Sequence, residues 1–281
     1  MKTSKYLFFV MLFLAVAAAF NACKKDEDEN ITEDATDVEE NVLAESFFND
    51  AFQQATAGSF SLEGKGSAKD FFGDCIPEIT VTFPNGTPYP RIVTINFGET
   101  NCEGIDGVLR RGKIIFTNSD WLINTGSTHS VTFENYYVND YHIEGTQTIS
   151  YNGLNGSLNP TFSVTLVNGK ITNPAGNSIS HNYVHTHEWI SGALTPLNIF
   201  DDKISITGTS AGVNRRGVAY TATITEPLIK ATSCLWIESG VVTFTNSNGK
   251  ILTLDFGDGE CDNLATVTLN GISKEITLTF S

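Results

Sequence analysis

His181, His185 and His187 stand at alternate positions in a segment rich in β-branched and aromatic residues, in parity with Ile179, Tyr183 and Trp189. On a strand that parity puts all six on one face, and His185-x-His187 is a spacing at which two imidazoles bind a transition metal. A metal centre also needs a third ligand and an orienting partner. The neighbouring acid, Glu188, falls on the opposite face. The segment therefore reads as a mixed polar and aromatic sheet face, with His185 and His187 as its metal candidates and no ligand set complete enough to assign. The loop Asp255-Phe-Gly-Asp258-Gly-Glu260-Cys-Asp262-Asn263 gathers acids around two glycines, as a calcium loop would. Counted from Asp258, however, Asn263 and Leu269 stand where an EF-hand requires glycine and glutamate. The equivalent stretch around Glu99 and Glu103 carries fewer acids, which suits a turn.

Nucleophilic and metal-hydrolase chemistry has no local signature: there is no Gly-x-Ser-x-Gly elbow and no His-Glu-x-x-His. No catalytic residue and no cofactor is assigned. A carboxylate pair for glycoside hydrolysis is defined by a separation in space, so a carboxylate-based hydrolase stays as the last of three functional classes. Trp121, Tyr136, Tyr137, Tyr141, Trp189 and Trp236 would make a sugar-stacking platform if they shared a face, although cross-strand packing is the ordinary role of such residues. Arg110-Arg111 and Arg215-Arg216 fall in predicted hairpin turns, where exposure is expected; two such turns brought together would form an anion site.

The elements that must position these residues are strands. From Gly58 onward Thr, Val, Ile, Phe and Tyr alternate with polar residues, and turn pairs recur at short intervals, so the spacing predicts an all-β chain of about fourteen strands. Asn168-Gly169, Asn248-Gly249 and Asn270-Gly271 read as tight hairpins. The expected fold is a single elongated antiparallel meander of hairpins forming a sandwich or flattened barrel, with one N-terminal helix. That helix is predicted between Thr32 and Ala57, with apolar residues at Val38, Val42, Leu43, Phe47, Phe48, Ala51, Phe52 and Ala55 giving one sticky face.

Of the five cysteines, Cys75 and Cys234 are 159 positions apart and so are Cys102 and Cys261. Phe97-Gly98-x-x-x-Cys102 matches Phe256-Gly257-x-x-x-Cys261, so one hairpin design is used twice. A second echo, Gly107-Val-Leu-Arg-Arg-Gly112 against Gly212-Val-Asn-Arg-Arg-Gly217, is offset by 105, which makes the repeat one of hairpins rather than of domains. A three-residue loop at Ser247-Asn248-Gly249 pairs Phe244 with Leu252 and Val242 with Leu254 on the buried face. Continued, that register brings Cys261 within one position of Cys234, and the twin hairpin would join Cys75 to Cys102. Four cysteines permit three connectivities, so the cross-repeat pairings stay open.

The fifth cysteine is explained by the N-terminus. Lys2 and Lys5 precede the apolar run Tyr6 to Ala19, too short and too near the terminus for a spanning helix, and small residues lead to Ala22-Cys23. Residues 1–22 thus read as a lipoprotein signal peptide and Cys23 as the lipidated (palmitate-bearing) residue, with Phe20 and Asn21 departing from the usual lipobox. Residues 23–57 form an acidic tether and amphipathic helix, and 58–281 an antiparallel β-domain with repeated disulfide hairpins. The stretch 24–50 holds eleven acids against Lys24 and Lys25 within a chain of formal charge −15. Such a leader stays solvated as a spacer, and nucleic acid is excluded as a partner.

Phe133-Glu-Asn-Tyr-Tyr-Val-Asn139, Ile143-Glu-Gly-Thr146, Glu188-Trp-Ile-Ser-Gly192, Ile206-Thr-Gly-Thr209, Cys234-Leu-Trp-Ile-Glu-Ser-Gly240 and Leu254-Asp-Phe-Gly-Asp-Gly-Glu-Cys-Asp-Asn263 together resemble a family of uncharacterised lipoproteins of Bacteroidota, over most of residues 45–281. Cys23-Lys-Lys-Asp-Glu-Asp-Glu likewise resembles the sorting signal that sends lipoproteins of that phylum to the cell surface. The resemblance implies a class and a location, an outer-membrane lipid anchor at the cell surface with the periplasmic face as the alternative. It implies no activity. The leading expectation is a non-enzymatic binding or structural module for a glycan or another envelope protein. The alternative is a carrier that holds a lipid or small apolar ligand in a β-barrel cavity.

Overall fold

The computed structural model describes residues 35–62, 64, 66–122, 124–193 and 201–279; Cys23 and the signal segment lie outside them. Helix α1 covers 35–62, continuing past Ala57, and a short α2 covers Ala68–Phe72. The first strands are β1 Glu78–Thr82, β2 Arg91–Asn96, β3 Cys102–Glu103, β4 Leu109–Asn118 and β5 Thr128–Val138. Then come β6 Tyr141–Leu154, β7 Pro160–Thr172, β8 Ser178–Ser191, β9 Lys203–Val213 and β10 Ala219–Ala231. The chain closes with β11 Ser239–Asn246, β12 Ile251–Asp258, β13 Leu264–Leu269 and β14 Ile272–Thr277.

All fourteen strands belong to one antiparallel sheet in which neighbours in sequence are neighbours in space, apart from β3, which pairs only with β4. The expected meander is therefore the fold. The sheet is not closed, since the path runs from β1 to β14 without the two joining. What fills its concave face is α1 rather than a second sheet. The contacts march along the helix in strand order: Gly58 against Ile95 of β2, Phe52 against Phe116 of β4, Phe48 against Phe133 of β5 and Phe47 against Tyr141 of β6. Farther toward the N-terminus, Glu45 meets His181 of β8 and Asn41 meets Tyr220 of β10. A helix of 28 residues spans about 42 Å. Thirteen strands side by side would span about 58 Å if flat, so the sheet must bend over the helix. Only Thr36, Gln53 and Leu62 of α1 are exposed.

Two apolar cores result. The first joins Phe47, Phe48, Ala51 and Ala55 of α1 to side chains of β2 through β8. The second joins Ala35 and Val38 to Ala222, Val242, Phe244, Leu252, Leu254 and Phe256, with contributions from β13 and β14. The alternation read in the sequence sets the pairing here: Val242 faces Leu254 and Phe244 faces Leu252. A one-residue slip then places Ser239 opposite Asp258. Both disulfides join cysteines of one hairpin, Cys75 to Cys102 and Cys234 to Cys261, with Cα atoms 5.3 and 5.7 Å apart.

Three local expectations change. Asn168-Gly169 is no hairpin turn but a bulge inside β7, where register shifts against both β6 and β8. Asn168 takes a φ of 55°, and a Cβ on Gly169 would stand 2.2 Å from the carbonyl oxygen of His181, so the close approach of β8 requires glycine. Arg110 and Arg111 lie within β4, not in a turn. The segment after Gly58 is at first helical, to residue 62, and Gly58 lets α1 lie directly on Ile95.

Candidate functional site

Two polar stripes meet between α1 and the second core. On α1, Asn41, Glu45, Asn49 and Gln53 recur every fourth residue, which lines them along one side of the helix beside its apolar face. On β8 the histidine parity holds: Ile179, His181, Tyr183 and His185 are buried in alternation with more exposed neighbours. The rings form a ladder, with Tyr183 stacked on His185 at 4.4 Å and His185 on His187 at 6.2 Å between centroids.

Glu45 is the acid this ladder meets, and it comes from the helix rather than from Glu188. Glu188 accepts instead from Asn155 and Asn159 at 2.8 and 2.7 Å. Glu45 Oε1 lies 2.9 Å from His181 Nε2 and 3.8 Å from His185 Nε2. One proton arrangement satisfies the whole chain of groups. Asn41 donates to the Tyr220 oxygen (3.2 Å), Tyr220 donates to His181 Nδ1 (2.8 Å), and His181 Nε2–H donates to Glu45. Burial works to raise the Glu45 carboxyl, but His185, His181 and the hydrogen bond outweigh it and hold it below the usual carboxylate range. Burial lowers His185 and pushes His187 down to about 3, against the pull of Glu45. Among the described residues no three His, Cys, Asp or Glu side chains gather as a metal would require.

Beside this ladder opens a cavity of about 290 Å³. Its floor is apolar, with Ala222, Ile224, Val242, Phe244, Leu254 and Phe256 from β10 to β12. Asn41, Glu45, Asn49, His185 and His187 stand along one wall. The loop from β10 to β11 borders the other side through Ser233, Cys234, Leu235 and Trp236. Ser233 and Leu235 are exposed to solvent, which places the mouth at this loop, and Cys234–Cys261 pins it.

The void follows from side-chain size on α1. From Phe47 to Phe52 the helix carries Phe47, Phe48 and Phe52 toward the sheet, whereas before Leu43 it carries Ala35, Val38 and Val42. Small residues under the same continuous sheet leave space.

The remaining candidates fall elsewhere. Arg110 is 2% exposed and grips α1: its guanidinium bonds both oxygens of Asp50 and both of Asp106, while the Tyr136 hydroxyl donates to Asp50 at 3.3 Å. Burial lowers the Arg110 guanidinium's affinity for its proton, but these two carboxylates more than reverse that. Its echo grips the helix about three turns earlier, with Arg215 paired to Glu40 and Arg216 to Asp37. The two arginine motifs thus clamp α1 and do not combine into an anion site. Arg111 lies 3.8 Å over the ring of Tyr137 and pairs with Asp140.

The six aromatics form no common platform. Tyr136 is buried in the first core, Tyr141 packs on Phe47, Tyr137 stacks on His142, and Trp236 borders the cavity. In the acidic loop Asp255 accepts from the backbone of Gly257 and Asp262 from that of Leu264, as turn residues do. Sequence reasoning offered a cavity only as the barrel interior of the carrier alternative, not under a helix on an open sheet, and it missed Lys230 on the lining and the partner role of Glu45. The four-residue spacing of Asn41, Glu45 and Asn49 beside the apolar face of the helix is the signal the sequence offers.

Fold and site together define a class: an open antiparallel meander wrapped on a helix, hollow at one end. Comparison of the chain with protein-family models, curated proteins and solved structures finds no match.

Proposed function

We propose that this protein is a lipid-anchored envelope lipoprotein, tethered through Cys23 at the outer membrane and facing the cell surface, whose β-domain holds a small, mainly apolar ligand without transforming it. The observation that carries this reading is the cavity between α1 and β10 to β12. At about 290 Å³ it stands at the lower end of ligand-pocket sizes, and its apolar floor with a few convergent polar groups is the usual composition of such sites. Binding is favoured over hydrolysis because the acids on the lining are engaged, Asp50 and Asp106 by Arg110 and Glu45 by His181. The resemblance to Bacteroidota lipoproteins supports the location.

The test is uptake of a neutral, environment-sensitive apolar dye by the full-length chain and by Ala222→Phe, whose ring would occupy the floor. Saturable binding with one site, lost in Ala222→Phe while thermal unfolding is unchanged, is expected. Equal dye binding by both chains would remove the cavity from the proposal. For the anchor, Cys23→Ala is expected to leave the membrane fraction, and protease treatment of intact cells to digest the β-domain. Continued membrane association of Cys23→Ala would end the tether, and protection from protease would move the domain to the periplasmic face.

A further inference from the structure

Lys230 occupies an inward position. Ala222, Ile224, Leu228 and Lys230 all contribute to the cavity lining from β10, with the register shift between Thr223 and Leu228 preserving the inward side. A lysine on the ligand side of a strand, two residues from Leu228, is out of place in an apolar lining unless its charge is used. Its ammonium donates to the carbonyl oxygens of Cys234 and Trp236, the latter at 3.2 Å, which leaves one of three N–H donors. Glu238, which attracts it electrostatically, is held instead by Lys203 at 2.8 Å. Among the described residues no carboxylate lies within ion-pair distance of Lys230. The acids on the same lining differ, because Asp50 and Asp106 have Arg110 and Glu45 has His181.

We infer that the ligand of this cavity is a single-chain amphiphile with a carboxylate head, which Lys230 receives at the mouth while the chain lies on the floor formed by Ala222, Ile224, Val242, Phe244, Leu254 and Phe256. The inference rests on the cavity reading above and adds the head group. A lysine ammonium is a point charge that asks for one negative charge and no fixed fork geometry, which suits a monoanion. Burial lowers its ammonium only to about 8 against the attraction of Glu238, so it is charged at pH 7, and no carboxylate among the described residues is ion-paired with it. A volume of 290 Å³ takes roughly ten groups of the ~30 Å³ that one water occupies, the size of a medium-length chain.

The experiment titrates the full-length chain carrying Cys23→Ala, so that no acyl group on the protein competes, with n-decanoate, n-decanol and n-decylamine at pH 7, by calorimetry and by tryptophan fluorescence, to which Trp236 on the lining contributes. Decanoate is expected to bind at least about tenfold more tightly than decanol, and decylamine more weakly than either. In Lys230→Met the preference for decanoate is expected to vanish while decanol affinity is kept. Equal binding of decanoate and decanol to the unsubstituted chain would overturn the head-group inference and leave the cavity reading standing. Tighter binding of decylamine would overturn it too, showing that Glu45 and its neighbouring acids set the preference. Binding of none of the three would overturn both. The ligand series decides the matter even if Lys230→Met does not fold.

Discussion

The two halves of the sheet are built alike and filled differently. Each carries a disulfide-closed hairpin and an arginine motif that reaches the helix. Around β2 to β8 the helix supplies Phe47, Phe48 and Phe52, and rings such as Phe116, Phe133 and Tyr136 close over them. Around β10 to β14 it supplies Ala35, Val38 and Val42, and the same kind of sheet encloses space. The difference shows that the void comes from subtraction on one helix rather than from an added loop or domain. In the packed half Arg110, held by Asp50 and Asp106, fixes the helix that runs on into the hollow one.

The comparison breaks if the packed half is not the more sensitive one. Phe47→Ala should cost about 3–5 kcal/mol of unfolding free energy, measured by urea denaturation, because Phe47 is fully buried and a void would remain. A loss below about 1 kcal/mol would mean that the first core is not close-packed.

Opening the hollow half is next in size. Replacing Cys234 and Cys261 together by serine releases a loop of 27 residues, worth about 3.5 kcal/mol on the loop-entropy account. The same replacement of Cys75 and Cys102 should cost a similar amount, since the separation is the same 27 residues. Only the first should also weaken ligand uptake, because only Cys234 borders the cavity. Loss of uptake from both would detach the disulfide at the mouth from the site.

Acid should test both halves together. Burial, assisted by Arg91, pushes His129 beside Phe116 down to about 4, and burial pushes His187 on the cavity wall down to about 3. Both folded values lie below the unfolded value of about 6.5, so unfolding takes up protons between them. The contribution is fully present above about pH 6.5 and is lost as pH falls toward 4 and then 3, at up to about 1.4 kcal/mol per pH unit for each imidazole. The urea midpoint should therefore fall between pH 6.5 and 5, with His185, also lowered by burial, adding to the slope, and His187→Gln should make the slope shallower. A midpoint independent of pH across that interval would contradict the burial of both rings.

The finest test exchanges one side chain in each half. Ala51→Leu in the packed core should destabilise by about 1–3 kcal/mol through overpacking. Ala222→Leu on the cavity floor should be neutral or stabilising by about 1 kcal/mol while lowering dye affinity. Equal penalties would show that the two halves are packed alike.

Much of this architecture is local and was therefore legible. Strand number, the meander and the β11–β12 register follow from side-chain alternation and from loops such as Ser247-Asn248-Gly249, which depend only on near neighbours. The same register carries Cys261 to Cys234, so the disulfides were legible too, and so was the common face of His181, His185 and His187. Asn168-Gly169 misled for a physical reason. The pair supplies positive φ, which serves a bulge as well as a hairpin, and only the neighbouring β6 and β8 distinguish the two.

By itself, then, the sequence determined an all-β meander, its twin disulfide hairpins and a helix with one apolar face. Tertiary structure alone decided that this helix lies inside the curve of the sheet. It also decided that Glu45 meets a histidine 136 residues away, that Arg110 grips an acid 60 residues before it, and that Lys230 faces a void. The reason is that alternation and turn chemistry act within a few residues, whereas a cavity and its charge depend on how the volumes of distant side chains add across a curved sheet.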